Sequence, residues 1–259
     1  MTYNIANDLI LANCTFSNNL VNTGPISYFI SNMEDNKTVS LDRVIVGHGL
    51  VIDGCALQNN EAIGEGRCIF GTGGEVYSSN SSIISNVADG GIISWGHCRW
   101  ILEDDLLSNN TALNSQCVLN FTGVSKLYPP SKGGPKHIYG DHKKGSNSSD
   151  MGLIVKNCTF LNNKGFSGQY GLSVFSAIGN ILLDSCEFHS NIDVQGACTV
   201  AVGGDAVVVS NRTISDNIAT KSGISSGLWV DGSNASVDQC IISNNQYLSI
   251  YLEVLESQD

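Results

Sequence analysis

Hydrophobic positions in this chain come in short runs and not in the 3.6-residue rhythm of an amphipathic helix. Residues 171–191 read "GLSVFSAIGNILLDSCEFHSN", and their apolar members group as "LSVFSA", "NILLD" and "CEF". Each run is too short for a stable helix, and Gly, Asn, Asp or Ser separate them, which predicts three short strands. The same division recurs in "ACTVAVGGDAVVVSNRTISDN", residues 197–217, and in "SGLWVDGSNASVDQCIISNN", residues 226–245.

A repeat sets the spacing of these units. "NCTFSNN" at 13–19 returns almost unchanged as "NCTFLNN" at 157–163. Softer copies end at Asn60, Asn86, Asn110, Asn191, Asn217 and Asn245, giving eight anchors with Asn19 and Asn163. Successive anchors are 41, 26, 24, 53, 28, 26 and 28 residues apart, and five of those steps are one solenoid unit long. The step of 41 is one unit with a loop, whereas 53 is two units or one unit plus an insertion.

Three short strands per unit of about 25 residues predict an all-β, right-handed parallel β-helix of roughly eight to nine coils. Each strand would pair with its equivalent one coil away, satisfying the backbone and burying a continuous apolar column. Cys14, Cys55, Cys158, Cys186 and Cys240 are expected in one inward slot, acting as small apolar residues. Phe16, Leu57, Phe160, Phe188 and Ile242 fill the neighbouring slot, and Cys68, Cys117 and Cys198 another. Two asparagine stacks follow: one through Asn13, Asn157 and Asn211 (with Asn80), another through the anchors Asn19 to Asn245.

The whole chain, 1–259, reads as one domain, and it is compatible with being a fragment of a longer solenoid. Two stretches interrupt the repeat. Residues 123–150 hold three of the four Pro and form a long loop, and 22–49 is a smaller departure. A net charge of −11 with only 13 Lys and Arg argues against a nucleic-acid surface. No apolar run reaches the length of a membrane helix, and "MTYNIANDLI" has no signal-peptide pattern. Nine Cys without a CxxC pair fit neither a disulfide scaffold nor a zinc site, so no metal or cofactor is expected.

The literal FxxN of Phe16–Asn19, Phe160–Asn163 and Phe188–Asn191, with Gly90-Gly91-Ile92-Ile93, resembles the polymorphic outer-membrane protein repeat. That repeat is known from chlamydial autotransporter passenger domains and from surface proteins of some protists. The resemblance covers nearly all of the chain outside 123–150. It implies a pectin-lyase-like β-helix, extracellular or at a cell surface, acting in adhesion and without catalysis.

The fold also hosts polysaccharide-active enzymes, so lyase, glycosidase or epimerase chemistry on acidic glycans is the alternative. Its candidates are Asp104 and Asp105, a carboxylate pair, and His48 in a Gly-His-Gly. In polygalacturonase-type enzymes the paired Asp comes before the Gly-His-Gly, and here the order is reversed. Asp105 also falls in the Cys column, with Asp104 at the bend before it. The long loop gathers Tyr128, Lys132, Lys136, His137, Tyr139, His142, Lys143 and Lys144, a contact surface for a protein or an anionic glycan. Open solenoid ends would also permit self-association into filaments. Among the N-x-S/T sequons, Asn36 and Asn147 in loops are the expected glycan acceptors in a eukaryotic secreted protein, while Asn13, Asn157 and Asn211 are expected to be occupied by stacking.

Overall fold

A computed structural model describes residues 2–4, 9–21, 27–30, 44–46, 49–62, 69–72, 75–89, 91–96, 99–113, 118–122, 152–165, 175–194, 198–220, 225–246 and 248–253. Every pairing between the described strands is parallel, and the strands form three sheets. The chain therefore winds into a three-walled tube, the right-handed parallel β-helix that the repeat implies.

The second wall shows the construction most plainly. Its eight three-residue strands run Thr15–Ser17, Ala56–Gln58, Ser82–Ile84, Leu106–Ser108, Thr159–Leu161, Glu187–His189, Thr213–Ser215 and Ile241–Ser243. Register is strict, so Phe16, Leu57, Ile83, Leu107, Phe160, Phe188, Ile214 and Ile242 form one inward column. The Phe160 and Phe188 rings stack with centroids 4.5 Å apart and planes 7° from parallel, as the strand spacing of about 4.8 Å requires. Leu106–Ser108 pairs directly with Thr159–Leu161, so the 53-residue anchor step is one coil plus an insertion.

The third wall consists of two-residue strands such as Val87–Ala88 and Thr111–Ala112, which the sequence pattern did not reveal. Ala62, Ala88 and Ala112 face inward there, fully buried, where the tube is narrow. Most coils thus carry four strand segments and not the three expected. The first wall is the largest, with 16 strands in two halves. Ile69–Thr72, Ile93–Gly96, Leu119–Thr122 and Phe175–Ile178 belong to one half. Gly49–Asp53, Glu75–Ser79, Arg99–Glu103, Leu153–Lys156 and Ile181–Asp184 belong to the other.

The halves fuse in the long strands Val200–Ser210 and Ser225–Asp238. A glycine corner makes this possible. Gly204 has φ +149°, and a Cβ there would lie 2.0 Å from the Gly179 carbonyl oxygen. Only glycine can pass. Within 22–49, Ser27–Ile30 and Val44–Val46 join the first wall, so that departure is smaller than the repeat suggested.

Candidate functional site

Two sharp bends flank each strand of the second wall, and both use one backbone device. The residue before the bend's inward position is left-handed in every described coil. At the first bend these residues are Asn13, Gly54, Asn80, Asp104, Asn157, Ser185, Asn211 and Gln239; at the second, Asn18, Asn59, Ser85, Asn109, Asn162, Ser190, Asp216 and Asn244. Their φ values lie between 50° and 58°. Asn, Asp and Gly, which tolerate this region, fill most of these positions, and Ser85, Ser185, Ser190 and Gln239 fill the rest. The turn points the next residue's side chain into the tube and its N–H along the axis.

At the second bend the inward residue is the anchor Asn. Asn86 is representative: its Nδ2 donates to Leu57 O at 2.8 Å and to Asn110 Oδ1 at 3.0 Å. Its Oδ1 accepts from Asn60 N at 3.0 Å and Asn60 Nδ2 at 2.9 Å. Two donors and two acceptor sites are all used, so a fully buried amide leaves nothing unsatisfied. The same bonds continue from Asn19 to Asn245.

At the first bend the inward column runs Cys14, Cys55, Ser81, Asp105, Cys158, Cys186, Arg212, Cys240. It is a second ladder, carried by backbone donors. Cys14 N–H donates to Cys55 Sγ at 3.4 Å, Cys55 N–H to Ser81 Oγ at 3.1 Å, and Ser81 N–H to Asp105 Oδ1 at 2.8 Å. Backbone bonds from Asp105 to Cys158 and from Cys158 to Cys186 extend it. The sulfurs are therefore acceptors as well as small apolar fillers. Cys55, Cys158, Cys186 and Cys198 are buried, while Cys14 and Cys240 are half-buried; Cys68 and Cys117 lie outside the described residues.

Asn13, Asn157 and Asn211 do not form the stack expected of them. They are the left-handed residues, and their side chains are exposed. Asn211 Nδ2 instead donates to Asp184 Oδ1 at 3.0 Å, on the outside. Their sequons are accordingly not occupied by stacking; Asn36 and Asn147 lie outside the described residues.

Asp104 and Asp105 diverge for the same reason. Asp104 takes the left-handed position and is exposed, whereas Asp105 turns inward and is 2% exposed. Adjacent in sequence, they lie on opposite sides of the wall and cannot flank one sugar bond. Burial pushes the Asp105 carboxyl up to about 7, against the hydrogen bond from the Ser81 backbone. His48 and all eight contact residues of the loop, Tyr128 to Lys144, lie outside the described residues.

The outer surface beside the first bend carries a polar row. Asp53, Ser79, Glu103, Lys156, Asp184, Ser210 and Asp238 are in register, one per coil, all exposed or half-buried except Ser79, which is buried. Ser79 and Ser210 donate to Asp53 and Asp184, each at 2.8 Å. Lys156 lies 4.0 Å from Glu103, which also accepts from Tyr77 at 3.0 Å. Together with the exposed left-handed residues this makes a straight, mainly acidic ridge with one coil's spacing between rungs.

A further cluster escaped the sequence reading. His189 Nδ1 lies 2.8 Å from Ser215 Oγ and 3.3 Å from Asp216 Oδ2. Both partners meet the same ring nitrogen, so the ring cannot relay a proton between them as a nucleophile–base–carboxylate triad does through opposite nitrogens. Among the described residues, no group of three or more His, Cys, Asp or Glu is placed to hold a metal ion, and no helix is long and apolar enough to cross a membrane.

Fold and ladders together define a right-handed parallel β-helix solenoid. In agreement, a family model described as a right-handed β-helix region matches residues 137–258. No curated protein and no solved structure matches the chain.

Proposed function

We propose that the chain is a surface-exposed structural and adhesive β-helix module that binds a protein or glycan partner without transforming it. The divergence of Asp104 and Asp105 carries this reading. The carboxyl pair that suggested glycoside chemistry is split, one member serving as a ladder rung and the other as a bend. Retaining or inverting hydrolysis needs two carboxyls facing one bond across roughly 5–10 Å. The ridge from Asp53 to Asp238 favours binding instead, because it offers evenly spaced hydrogen-bonding groups to an extended partner. The FxxN and Gly-Gly-aliphatic resemblance to the polymorphic outer-membrane protein repeat supports an extracellular, adhesive setting.

The test is a panel of acidic and neutral glycans and of cell-surface extracts, assayed for both binding and turnover. Binding without turnover is expected. Deletion of 125–150, or replacement of Asp53, Asp184 and Asp238 by Asn, should weaken it at least fivefold, and the two variants assign the contact to loop or ridge. Cleavage or epimerisation of any glycan, lost on replacing Asp104 or His48, would replace this reading with the enzymatic one.

A further inference from the structure

Asn13, Asn80, Asn157 and Asn211 share more than the left-handed turn of the first bend. Each is followed two residues on by a hydroxyl, on Thr15, Ser82, Thr159 or Thr213, and so opens an N-x-S/T sequon. Strand register puts these hydroxyl residues at the first position of second-wall strands. Ala56, Leu106, Glu187 and Ile241 hold that position in the coils between. The bend residues alternate in step, with Gly54, Asp104, Ser185 and Gln239 in those same coils. Sequons therefore occur at every second coil of this bend and at none of the intervening ones. They lie on one line with a repeat of two strand spacings, about 9.6 Å.

The line is accessible. All four asparagines are exposed, and their hydroxyl partners are exposed or half-buried. Asn80 and Asn211 each use one Nδ2 hydrogen, on Asp53 Oδ1 at 3.4 Å and Asp184 Oδ1 at 3.0 Å. An amide nitrogen that carries a sugar keeps one N–H, so these bonds survive the modification. Spacing matters as well. A Cβ at Gly54, one coil from Asn13, would lie 2.8 Å from Asn13 Oδ1. Bend residues of adjacent coils are thus in contact, too close for a sugar on each, whereas two spacings leave room.

We propose that Asn13, Asn80, Asn157 and Asn211 are N-glycosylation sites whose glycans stand in single file along the first bend, one on every second coil. The inference rests on the extracellular setting of the proposed function, because the sugar donor, a lipid-linked oligosaccharide diphosphate, and its transferase belong to a secretory route. In the transfer Nδ2 bonds to C1 of the first sugar as the bond from C1 to the diphosphate oxygen breaks. Nδ2 gives up one proton, and the lipid diphosphate leaves. Transfer precedes folding, since the middle residues Ser81, Cys158 and Arg212 are at most 4% exposed once the tube has closed. The glycans then fence the second-wall side of the acidic ridge and leave a partner to approach from the first wall.

The test is the full chain secreted behind a cleavable leader from eukaryotic cells, digested and treated with peptide N-glycosidase, which turns each glycan-bearing Asn into Asp. The same chain made in the cytosol is the blank. Conversion at all four positions is expected, and Thr159→Ala should abolish it at Asn157 alone. Occupancy below half at any of the four would overturn the sites and leave the extracellular setting standing. Full occupancy there, with bare asparagines in protein taken from its own source, would overturn the proposal through that setting instead. The spacing has its own check. Ser185→Asn with Glu187→Thr adds a sequon between Asn157 and Asn211, and should cut the secreted yield about fivefold relative to Ser185→Asn alone. Equal yield with all five sites occupied would refute the two-coil spacing.

Discussion

The two bends share a backbone and differ in chemistry. Both place a left-handed residue before an inward one, and both send the inward residue's N–H along the axis to an acceptor in the next coil. The amide ladder answers with a side chain that donates twice and accepts twice, so every rung must be Asn for its neighbours to be satisfied. The other ladder asks only for an acceptor of small size. Cys, Ser and Asp all serve, and even Arg212 is present although it cannot accept. A column whose members depend on one another holds its identity. One that asks a single favour of each rung drifts, and that freedom has admitted a buried acid and a buried base.

The sharpest way to break the comparison is to remove one rung from each ladder. Asn110→Ala should cost about 3–5 kcal/mol. It strands the Asn86 N–H and Nδ2 and the Ile83 carbonyl, three buried groups at roughly 1–3 kcal/mol each. Chemical denaturation would measure it, and a loss below about 1.5 kcal/mol would show that the amide ladder is not special.

Next comes the transplant of Asp105→Ser, which copies the Ser81 rung. Asp105 is an acid whose folded pKa lies above its unfolded one, so its contribution is complete below about pH 4 and lost as pH rises to about 7. Replacing it should stabilise the protein by about 2 kcal/mol at pH 8 and have little effect at pH 5. The unaltered chain should therefore lose stability between about pH 4 and 7 as Asp105 ionises. A profile flat over that range would contradict the assignment.

Ser81→Ala is the milder counterpart of the amide deletion. The Cys55 N–H loses its acceptor and the Ser79 carbonyl a donor, costing about 1–2 kcal/mol. A penalty equal to that of Asn110→Ala would erase the distinction between the ladders. The smallest effect concerns the bends themselves. Asn157→Gly should leave the melting temperature within a degree or two, whereas Asn157→Val should lower it by the equivalent of about 1–2 kcal/mol, because a β-branched residue resists φ 51°.

The amino-acid sequence by itself determined the coil. Anchors 24 to 28 residues apart, Phe160 and Phe188 at equal places in successive units, and the short apolar runs all follow from a period that repeats in one dimension. What it left open is what happens across coils. The 53-residue step became a single coil only when Leu106–Ser108 was seen paired with Thr159–Leu161. Nothing in "ASP-ASP" order tells which of Asp104 and Asp105 faces inward, because that depends on which residue takes the left-handed turn. The two-residue strands were too short to leave a pattern of their own. The contacts of Arg212, the Leu183 carbonyl and the Phe188 ring, lie 29 and 24 positions away, set beside it by stacking alone. Local periodicity fixes where the chain turns; only the stacking of one coil on the next decides which charges meet.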